Sequence, residues 1–211
     1  YFKTFGMRNI ETLKPMTADT IFRIYSMSKP ITSAALMTLY EEGKFFLNDP
    51  VEKYLPEFKD LEVFQSGTVE KFWTEERKSP VTILQLLTHT SGLPYGLSKE
   101  HVSDKLVNER NLFDIGILLK DKIPVLASIP LKFQPGEKWE YSYSVDVQGR
   151  LIEVLSGMPF DRFLQERIFE PLNMDDTSFI VSKEKRDRFA QLYAYNKDKT
   201  GLEPGEIWGT F

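Results

Sequence analysis

An apolar helix that directly follows a short segment containing serine and lysine is the feature that most constrains the fold of this chain. Apolar side chains recur at three- and four-residue spacing, and Gly43 follows them. This spacing predicts an amphipathic helix that runs to about Glu42 and ends at a left-handed glycine. The helix must bury its apolar side against other elements, so the chain needs a substantial core. The apolar positions are Ile31, Ala34, Ala35, Leu36 and Leu39.

A serine and a lysine stand at the start of this helix. Ser26 and Lys29 are three residues apart, a spacing that places them on the same side of a helical turn. Pro30 would lie in the first turn, where its missing N–H costs little. A lysine amine beside a serine hydroxyl can take the hydroxyl proton, so the pair is a candidate nucleophile and base. The alternative is that Ser26 only caps the helix.

The Ser-x-x-Lys pattern is common by chance, so its setting matters. Ser182 and Lys185 repeat it within a charged run that no apolar helix follows, and we interpret that copy as a surface segment. Ser26 instead lies between the apolar, β-branched run at residues 20–25 and a helix that must be buried. This setting favours Ser26 as the functional copy.

Composition excludes several classes of function. The 211 residues are 41% hydrophobic, which is enough for a large core. A net charge of −4, without long runs of one sign, predicts no nucleic-acid partner. No apolar run reaches the length of a membrane span. Cysteine is absent, and His89 and His101 are not in metal-ligand spacing, so we expect neither a disulfide nor a metal site.

Both ends of the sequence lack the features of a natural terminus. The chain begins at Tyr1 without an initiator methionine or a signal peptide, in a segment typical of the interior of a strand. It stops at Phe211 without a polar tail. We therefore expect a part of a longer protein, incomplete at both ends. The compartment, cytoplasm or periplasm, stays open.

The remaining pattern predicts strands near both ends and helices between them, which indicates an α+β fold. Residues 1–25 suggest two extended runs joined by a turn at residues 8–17, and residues 177–181 suggest a return to strand. Residues 60–78 suggest an irregular segment with a short strand at residues 61–64. The other helices are predicted after a cap at Thr82, after a cap at Ser103, at residues 113–120 before Pro124, at 144–155, and at 161–169.

His89 follows the short helix that Thr82 would cap. It could act as a general base toward Ser91 or Ser26. A histidine at a helix end more commonly bonds backbone groups, and we favour this interpretation.

Several segments, in a fixed order along nearly the whole chain, carry a family pattern. They are Phe22–Ser33, Glu41–Lys44, Asp49–Val51, Leu86–Leu93, Pro135–Gly136 before Tyr141-Ser142, Asp146–Arg150 and Glu170–Phe179. In this order they resemble the serine β-lactamase and penicillin-binding-protein superfamily, and most closely its class C β-lactamase-like group, which includes family VIII carboxylesterases.

The resemblance implies a serine β-lactamase-like fold, in which a helical region is inserted into an antiparallel sheet. Residues 1–211 would form one partial domain of this kind. Residues 1–25 and about 177–211 would belong to the sheet side, and residues 26–176 would hold the nucleophile helix and the helical region.

The resemblance also implies a role for each matching residue. Ser26 would be the acylated nucleophile, Lys29 its partner in the first motif, and Tyr141 the tyrosine of the second motif, close to both. An ammonium favours a neighbouring phenolate, and burial disfavours an ammonium, so Lys29 and Tyr141 would titrate as a pair. Neither a metal nor an organic cofactor is needed.

Two departures from the family pattern bear on the substrate. Lactamases and peptidases of the group carry an asparagine two residues after the tyrosine, where its amide binds the amide of a β-lactam or peptide. Tyr143 stands there instead, as a candidate substrate-binding residue, and many esterases of the group also lack the asparagine. The third motif, expected on a late strand with the second oxyanion-hole N–H, is missing, because Trp208-Gly209-Thr210 has only a faint likeness and comes too early.

These observations predict a serine hydrolase with an acyl-enzyme intermediate, and they favour a carboxylesterase acting on small acyl esters. The enzymatic alternatives are a β-lactamase or D-alanyl-D-alanine carboxypeptidase, and an acyltransferase that passes the acyl group to an alcohol. A non-catalytic binding protein with the same fold is the alternative of another class. The presence of Ser26, Lys29 and Tyr141 together argues against it. The oligomeric state stays open.

Overall fold

The computed structural model describes residues 1–205, which form two compact units. The helical unit comprises Ser28–Ile168. The terminal unit comprises Tyr1–Met27 and the described residues from Phe169 onward. Within residues 1–205, no helix combines the length and the apolar character needed to cross a membrane. The predicted third-motif likeness at Trp208-Gly209-Thr210 lies outside the described residues.

Helices and small antiparallel sheets alternate along the described chain, which confirms the predicted α+β class. Residues 1–205 contain three two-stranded antiparallel sheets, β1–β2, β3–β4 and β5–β6. In chain order the elements are β1 (Met7–Asn9), β2 (Lys14–Pro15), α1 (Ser28–Glu41), β3 (Glu62–Gly67), β4 (Phe72–Glu76), α2 (Ile83–Leu87), α3 (Val102–Glu109), α4 (Leu119–Ala127), α5 (Ser144–Ser156), α6 (Phe160–Leu164), β5 (Tyr193–Tyr195) and β6 (Leu202–Pro204).

The predicted helix α1 packs against α5 within the helical unit. Leu36 and Leu39 are fully buried, as their spacing predicts, and burying a leucine contributes about 1.5–3 kcal/mol. The prediction for Ala34 is wrong, because it is exposed and Thr32 is buried in its place. The Thr32 hydroxyl donates to the Ser28 carbonyl at 3.0 Å, which makes its burial tolerable.

Both long helices end as predicted, at a left-handed glycine. Gly43 has a φ of +69°, and the Lys44 N–H donates to the Leu39 carbonyl at 3.0 Å, which closes the last turn of α1. Gly157 ends α5 with a φ of +71°. Polar side chains add a link between α1, α2 and α5, because Ser33 donates to Gln148 at 2.8 Å and Gln148 donates to the Leu86 carbonyl at 3.1 Å.

A β-hairpin occupies much of the segment predicted to be irregular. Strands β3 and β4 pair in an antiparallel ladder that places Val63 opposite Glu75 and Gly67 opposite Phe72. The N–H of Phe64 also donates to the Leu131 carbonyl at 2.8 Å. The prediction of a strand near residues 61–64 was thus correct but too short. The many charged residues obscured the ladder, since they occupy its exposed positions.

The predicted caps were right in one case and wrong in another. Thr82 begins α2 with a reciprocal capping box, in which its side chain accepts from the Gln85 N–H and the Gln85 side chain accepts from the Thr82 N–H. Helix α3, in contrast, is capped by His101, whose Nδ1 accepts from the Ser103 N–H at 3.2 Å. Ser103 itself is buried within the first turn.

The helix predicted at residues 113–120 is displaced toward the C-terminus. The chain turns at Asp114, which accepts from the Gly116 N–H at 2.8 Å, and α4 then begins at Leu119. Pro124 lies inside α4 and does not end it. Burial of Ile123 and Leu126 on either side of this residue outweighs the lost backbone hydrogen bond.

The terminal unit differs most from the predicted strands. The turn predicted at residues 8–17 contains the short hairpin β1–β2. Ile21 makes a parallel bridge to Phe189, with its N–H donating to the Arg188 carbonyl at 2.9 Å. The strand predicted at residues 177–181 is wrong, because Ile180 is 72% exposed and the partner of Ile21 lies further along the chain. Apolar composition alone did not identify the segment that pairs.

Candidate active site

The chain enters α1 through a tight turn that carries Ser26. A 3₁₀ turn at Tyr25–Met27 precedes the helix, and the Met27 N–H donates to the Ile24 carbonyl at 2.9 Å. Tyr25 has a φ of +42°, a conformation that is uncommon outside glycine and is often found at functional sites. Ser26 is exposed. Ser26 lies in the turn just before α1, at the start of the helix, as the sequence predicts.

Lys29 and Tyr141, which are far apart in sequence, come together in the helical unit. Lys29 and Pro30 lie in the first turn of α1. The Lys29 ammonium nitrogen lies 4.6 Å from the centre of the Tyr141 ring, within the range of a cation–π contact. Tyr141 just precedes α5, and the N–H of its neighbour Glu140 donates to the His89 carbonyl at 2.9 Å. This backbone bond keeps the Tyr141 segment beside the exit of α2.

His89 supports the Tyr141 ring. The two rings are stacked, with centres 5.1 Å apart and planes 12° apart. The His89 Nδ1 accepts from the Ser142 N–H at 3.2 Å, which confirms the favoured interpretation of a histidine that bonds a backbone group. Burial and then the charge of Lys29 lower the pKa of His89, so its ring is neutral near pH 7. Ser91 makes a separate hydrogen bond, to the Ser144 hydroxyl at 3.0 Å.

The side chain of Tyr143 lies buried close to Tyr141. Its side chain is almost completely buried, at 3% exposure, and its ring lies 5.2 Å from Tyr95 and 5.8 Å from Phe113 between centres. Burial and then the charge of Asp146 raise the pKa of Tyr143, so its hydroxyl stays protonated. Direct substrate binding by Tyr143 remains a prediction. The aromatic cluster of the site consists of His89, Tyr95, Phe113, Tyr141 and Tyr143.

The sequence analysis missed two members of this cluster, Tyr95 and Phe113. The Tyr95 ring meets Tyr141 edge-on, with centres 4.9 Å apart and planes 86° apart. For Tyr95 the signal in the sequence was its position, two residues after the family segment that ends at Leu93. Position alone could not indicate that the ring reaches Tyr141.

A buried ionic network fixes the loop that carries Tyr95. Asp104 accepts from the N–H groups of Tyr95 at 2.9 Å and Gly96 at 2.7 Å, and from the Lys132 ammonium at 2.7 Å. Lys132 also bonds Glu140, the residue before Tyr141. Burial alone would raise the pKa of Asp104, but these three hydrogen bonds outweigh it and hold that pKa below its usual range. One network therefore connects the backbone segments of both tyrosines.

A second charged group lies near the site. Desolvation raises the pKa of Asp146, and the positive charges of Lys122 and Lys29 only partly offset this rise.

A separate cavity of about 550 Å³ lies beside the ionic network of Asp104, and its lining includes His101, Lys132 and Glu140. Neither Lys29 nor Tyr141 lines it.

The fold is α+β, and Lys29 and Tyr141 are in contact where helix α1 begins. The model of the family described as Beta-lactamase matches residues 1–210. The chain therefore belongs to the beta-lactamase family, in the superfamily of serine β-lactamases and penicillin-binding proteins.

Relatives of known sequence and structure extend this assignment. Protein Rv1367c of Mycobacterium tuberculosis is 37% identical over 188 residues, which are 89% of this chain and 46% of that protein. Esterase EstB of Burkholderia gladioli is 35% identical over 198 residues, which are 92% of this chain and 46% of the esterase. The structure of EstCE1, described as a hydrolase with promiscuous acyltransferase activity, matches with a TM-score of 0.79 and 28% identity. That match covers 95% of this chain and 49% of EstCE1.

The chain spans about half the length of the curated relatives that it matches. The resemblance seen in the sequence is confirmed at the level of family and fold. The roles of individual residues and the substrate are matters for proposal.

Proposed function

We propose that the protein is a serine hydrolase that forms an acyl-enzyme on Ser26, and that it is a carboxylesterase of the family VIII type acting on small acyl esters. The observation that carries this proposal is the 4.6 Å approach of Lys29 to the Tyr141 ring, at the start of the helix that Ser26 precedes. Membership of the beta-lactamase family and 35% identity to an esterase support it.

Lys29 and Tyr141 are the groups proposed to move the proton. Ser26 Oγ attacks the ester carbonyl carbon, while its proton passes to the Tyr141–Lys29 pair. The tetrahedral intermediate then collapses, the bond to the alcohol oxygen breaks, and the pair returns the proton to the departing alcohol. Water attacks the acyl-enzyme in the same way, and the carboxylate leaves as Ser26 regains its proton.

The surroundings of the pair suit this role. An ammonium near a phenol favours the phenolate, so Lys29 helps Tyr141 to act as a base. The stacked His89 ring is neutral and excludes water from one face of Tyr141. The Ser26 N–H is proposed to bind the developing oxyanion, as one of the two donors that acyl transfer requires.

Tyr143 supports esters as the substrate class. A β-lactam or peptide carries an amide that needs a matching partner in the site, and an unpaired buried amide costs about 1–3 kcal/mol. Tyr143 presents a buried ring and a protonated hydroxyl in place of an amide. We propose that it narrows the pocket toward small acyl groups.

The test of the nucleophile is the variant Ser26→Ala in the complete protein, assayed with p-nitrophenyl acetate. Loss of the covalent step costs orders of magnitude in rate, so we expect hydrolysis to be abolished. Ser182→Ala is the matched control, because it alters the exposed copy of the same four-residue pattern, and it should leave the rate nearly unchanged. Retention of more than about a tenth of the activity by Ser26→Ala would refute the assignment.

An acyltransferase is the second candidate, because EstCE1 is described as having that activity as well. The same acyl-enzyme would form, and an alcohol would attack it in place of water. Adding a primary alcohol during ester hydrolysis separates the two functions. A hydrolase releases mainly the free acid, whereas an acyltransferase releases mainly the ester of the added alcohol. The initial burst of the alcohol released from the substrate, which reports acylation, is the same in both cases.

A further inference from the structure

His89 holds the Tyr141 segment by three contacts. Its carbonyl accepts from the N–H of Glu140 at 2.9 Å, and its Nδ1 accepts from the N–H of Ser142 at 3.2 Å. Between these two bonds its ring stacks on Tyr141, with centres 5.1 Å apart. One residue therefore binds both neighbours of Tyr141 and faces its ring, so a rotation of the His89 side chain would release the segment that carries the proposed base.

The backbone of His89 has an unfavourable conformation. Its φ is +54°, in the left-handed region that residues other than glycine rarely occupy. Such a conformation persists only where the surrounding contacts require it, and it is common at functional sites. Here the bond from Glu140 holds the His89 carbonyl, and the next N–H, of Thr90, donates to the Gln85 carbonyl at 2.9 Å. These bonds keep the exit of α2 in the conformation from which the His89 ring reaches Tyr141.

The contact with Ser142 determines which ring nitrogen of His89 carries the proton. A backbone N–H can only donate, so Nδ1 is the acceptor and the ring proton lies on Nε2. The Ser142 hydroxyl oxygen also lies 3.2 Å from Nδ1. A proton on Nδ1 would face the Ser142 N–H and abolish this bond. The neutral ring is thus the form that can hold Tyr141.

Three buried serine hydroxyls, of Ser91, Ser144 and Ser142, form a hydroxyl chain that ends at this nitrogen. The hydroxyl oxygens of Ser91 and Ser144 lie 3.0 Å apart, and those of Ser144 and Ser142 lie 2.7 Å apart. All three residues are at most 2% exposed, and the Ser91 oxygen accepts from the Leu93 N–H at 3.3 Å. When each hydroxyl donates to the next toward His89, every proton has an acceptor, as buried hydroxyls require. In this direction the hydroxyl chain binds only a neutral ring.

The groups around the ring favour the same protonation state. His89 faces the stacked Tyr141 and, edge-on at 6.2 Å between ring centres, the uncharged Trp139. Burial and then the positive charge of Lys29 lower the pKa of His89. An imidazolium would be a second cation beside Tyr141, close to Lys29, so the neutral ring is favoured.

We propose that His89 is a positioning residue for the reaction, which holds Tyr141 where it accepts the Ser26 proton while the hydroxyl chain keeps the His89 ring neutral. This inference rests on the proposed function. His89 acts through Tyr141 and takes no proton from Ser26. Protonation of the ring in acid would break its bond to Ser142 and release Tyr141, so it would limit activity at low pH.

The test is the variant Ser142→Ala in the complete protein, which removes the hydroxyl beside Nδ1 and keeps the backbone N–H. Loss of a donor to the neutral ring makes protonation of His89 easier. A hydrogen bond of this kind corresponds to about half to one pH unit. We therefore expect the acidic limb of kcat/KM for p-nitrophenyl acetate to move up by that amount, and the lost activity to return at higher pH.

Nuclear magnetic resonance of the histidine ring nitrogens gives a readout that does not depend on activity. In protein labelled with ¹⁵N-histidine, the signals of His89 are identified by their absence in His89→Asn, because asparagine tolerates the positive φ of this position. We expect the proton on Nε2 in the unmodified protein, and a pKa of His89 that rises with the acidic limb in Ser142→Ala. A proton on Nδ1 in the unmodified protein would overturn the inference.

Ser103→Ala is the matched control. Ser103 is also fully buried, and its N–H also donates to a histidine Nδ1, that of His101, at 3.2 Å. Its hydroxyl makes no hydrogen bond within residues 1–205, so its removal should leave the acidic limb and both histidine titrations unchanged. Equal shifts in Ser103→Ala and Ser142→Ala would mean a general effect of losing a buried hydroxyl, and would refute the role of the hydroxyl chain.

The outcomes separate this inference from the proposed function. If the acidic limb of Ser142→Ala coincides with that of the unmodified protein while a fluorophosphonate still labels Ser26, the positioning role is refuted and the hydrolase stands. If the unmodified protein is not labelled on Ser26, the proposed function fails and the inference fails with it. A shift confined to Ser142→Ala, with labelling retained, supports both.

Discussion

Replacing Asp104 by alanine should destabilise the protein strongly, because this carboxylate is the centre of the buried network. The change leaves two backbone N–H groups, of Tyr95 and Gly96, without an acceptor and removes the 2.7 Å partner of Lys132. Removing one partner of a buried ion pair costs about 3–5 kcal/mol. Because Lys132 keeps Glu140, we expect a value near the lower end, about 3 kcal/mol.

Urea unfolding of the complete protein at pH 7, followed by circular dichroism, measures this loss. A loss of about 3 kcal/mol appears as a lower midpoint urea concentration with an unchanged slope of the unfolding free energy against urea. Asp60→Ala is the matched control, since Asp60 is exposed, and its effect should stay within about 0.5 kcal/mol. The Lys132→Met substitution should lower the free energy of unfolding much less in the Asp104→Ala variant than in the unmodified protein.

The same network should contribute to stability in a pH-dependent way. The pKa of folded Asp104 lies below its ordinary value of 3.8, so the unfolded state binds more protons in that range. The contribution is fully present above about pH 4 and is lost as the pH falls through the folded pKa. A loss below about 1 kcal/mol for Asp104→Ala at pH 7, or full additivity with Lys132→Met, would refute this account of the network.

Three other substitutions test the backbone and the pocket. Gly92→Ala places a Cβ 2.4 Å from the Phe133 carbonyl oxygen at a φ of +83°, so by urea unfolding it should cost well above the roughly 1–2 kcal/mol of left-handed strain alone. Gly43→Ala should cost only that strain, because no atom lies within 4 Å of its new Cβ, and equal losses for both would contradict the clash. Tyr143→Asn should reduce the preference for short-chain esters over the cephalosporin nitrocefin, measured as a ratio of kcat/KM values. Efficient nitrocefin turnover by the unmodified protein would show the substrate argument to be wrong.

The long helices could be predicted from the sequence because local signals and burial agree there. Helix α1 has apolar residues at helical spacing and a glycine just after its end, and α5 repeats both features. The Thr82 cap was also predictable, since both residues of its capping box lie within four positions of the chain. In each case the deciding contacts are close in sequence or follow from a helical period.

Structure that depends on distant partners could not be predicted in this way. The hairpin β3–β4 has charged residues on its exposed side, so its alternation is weak. Residues 177–181 have the composition of a strand, but Ile21 pairs with Phe189. His101 caps α3 through a ring nitrogen. Histidine rarely has this role, so the sequence did not predict it.

The site shows the same division. Ser26 and Lys29 could be chosen from a local pattern and its setting, and Tyr141 from the family resemblance. The approach of Lys29 to Tyr141 was implied by that resemblance alone, and the structure gives its distance. Tyr95 was missed because its contact with the Tyr141 ring joins segments that are far apart in sequence and that only the folded chain brings together.

Covalent labelling tests the central claim, the nucleophilic role of Ser26, most directly. The complete protein is treated with a fluorophosphonate, and its intact mass and labelled peptide are determined. We predict a single adduct on Ser26, absent in Ser26→Ala and unchanged in Ser182→Ala. No adduct, or an adduct on another residue, would contradict the acyl-enzyme mechanism and would favour a binding protein that has kept the fold.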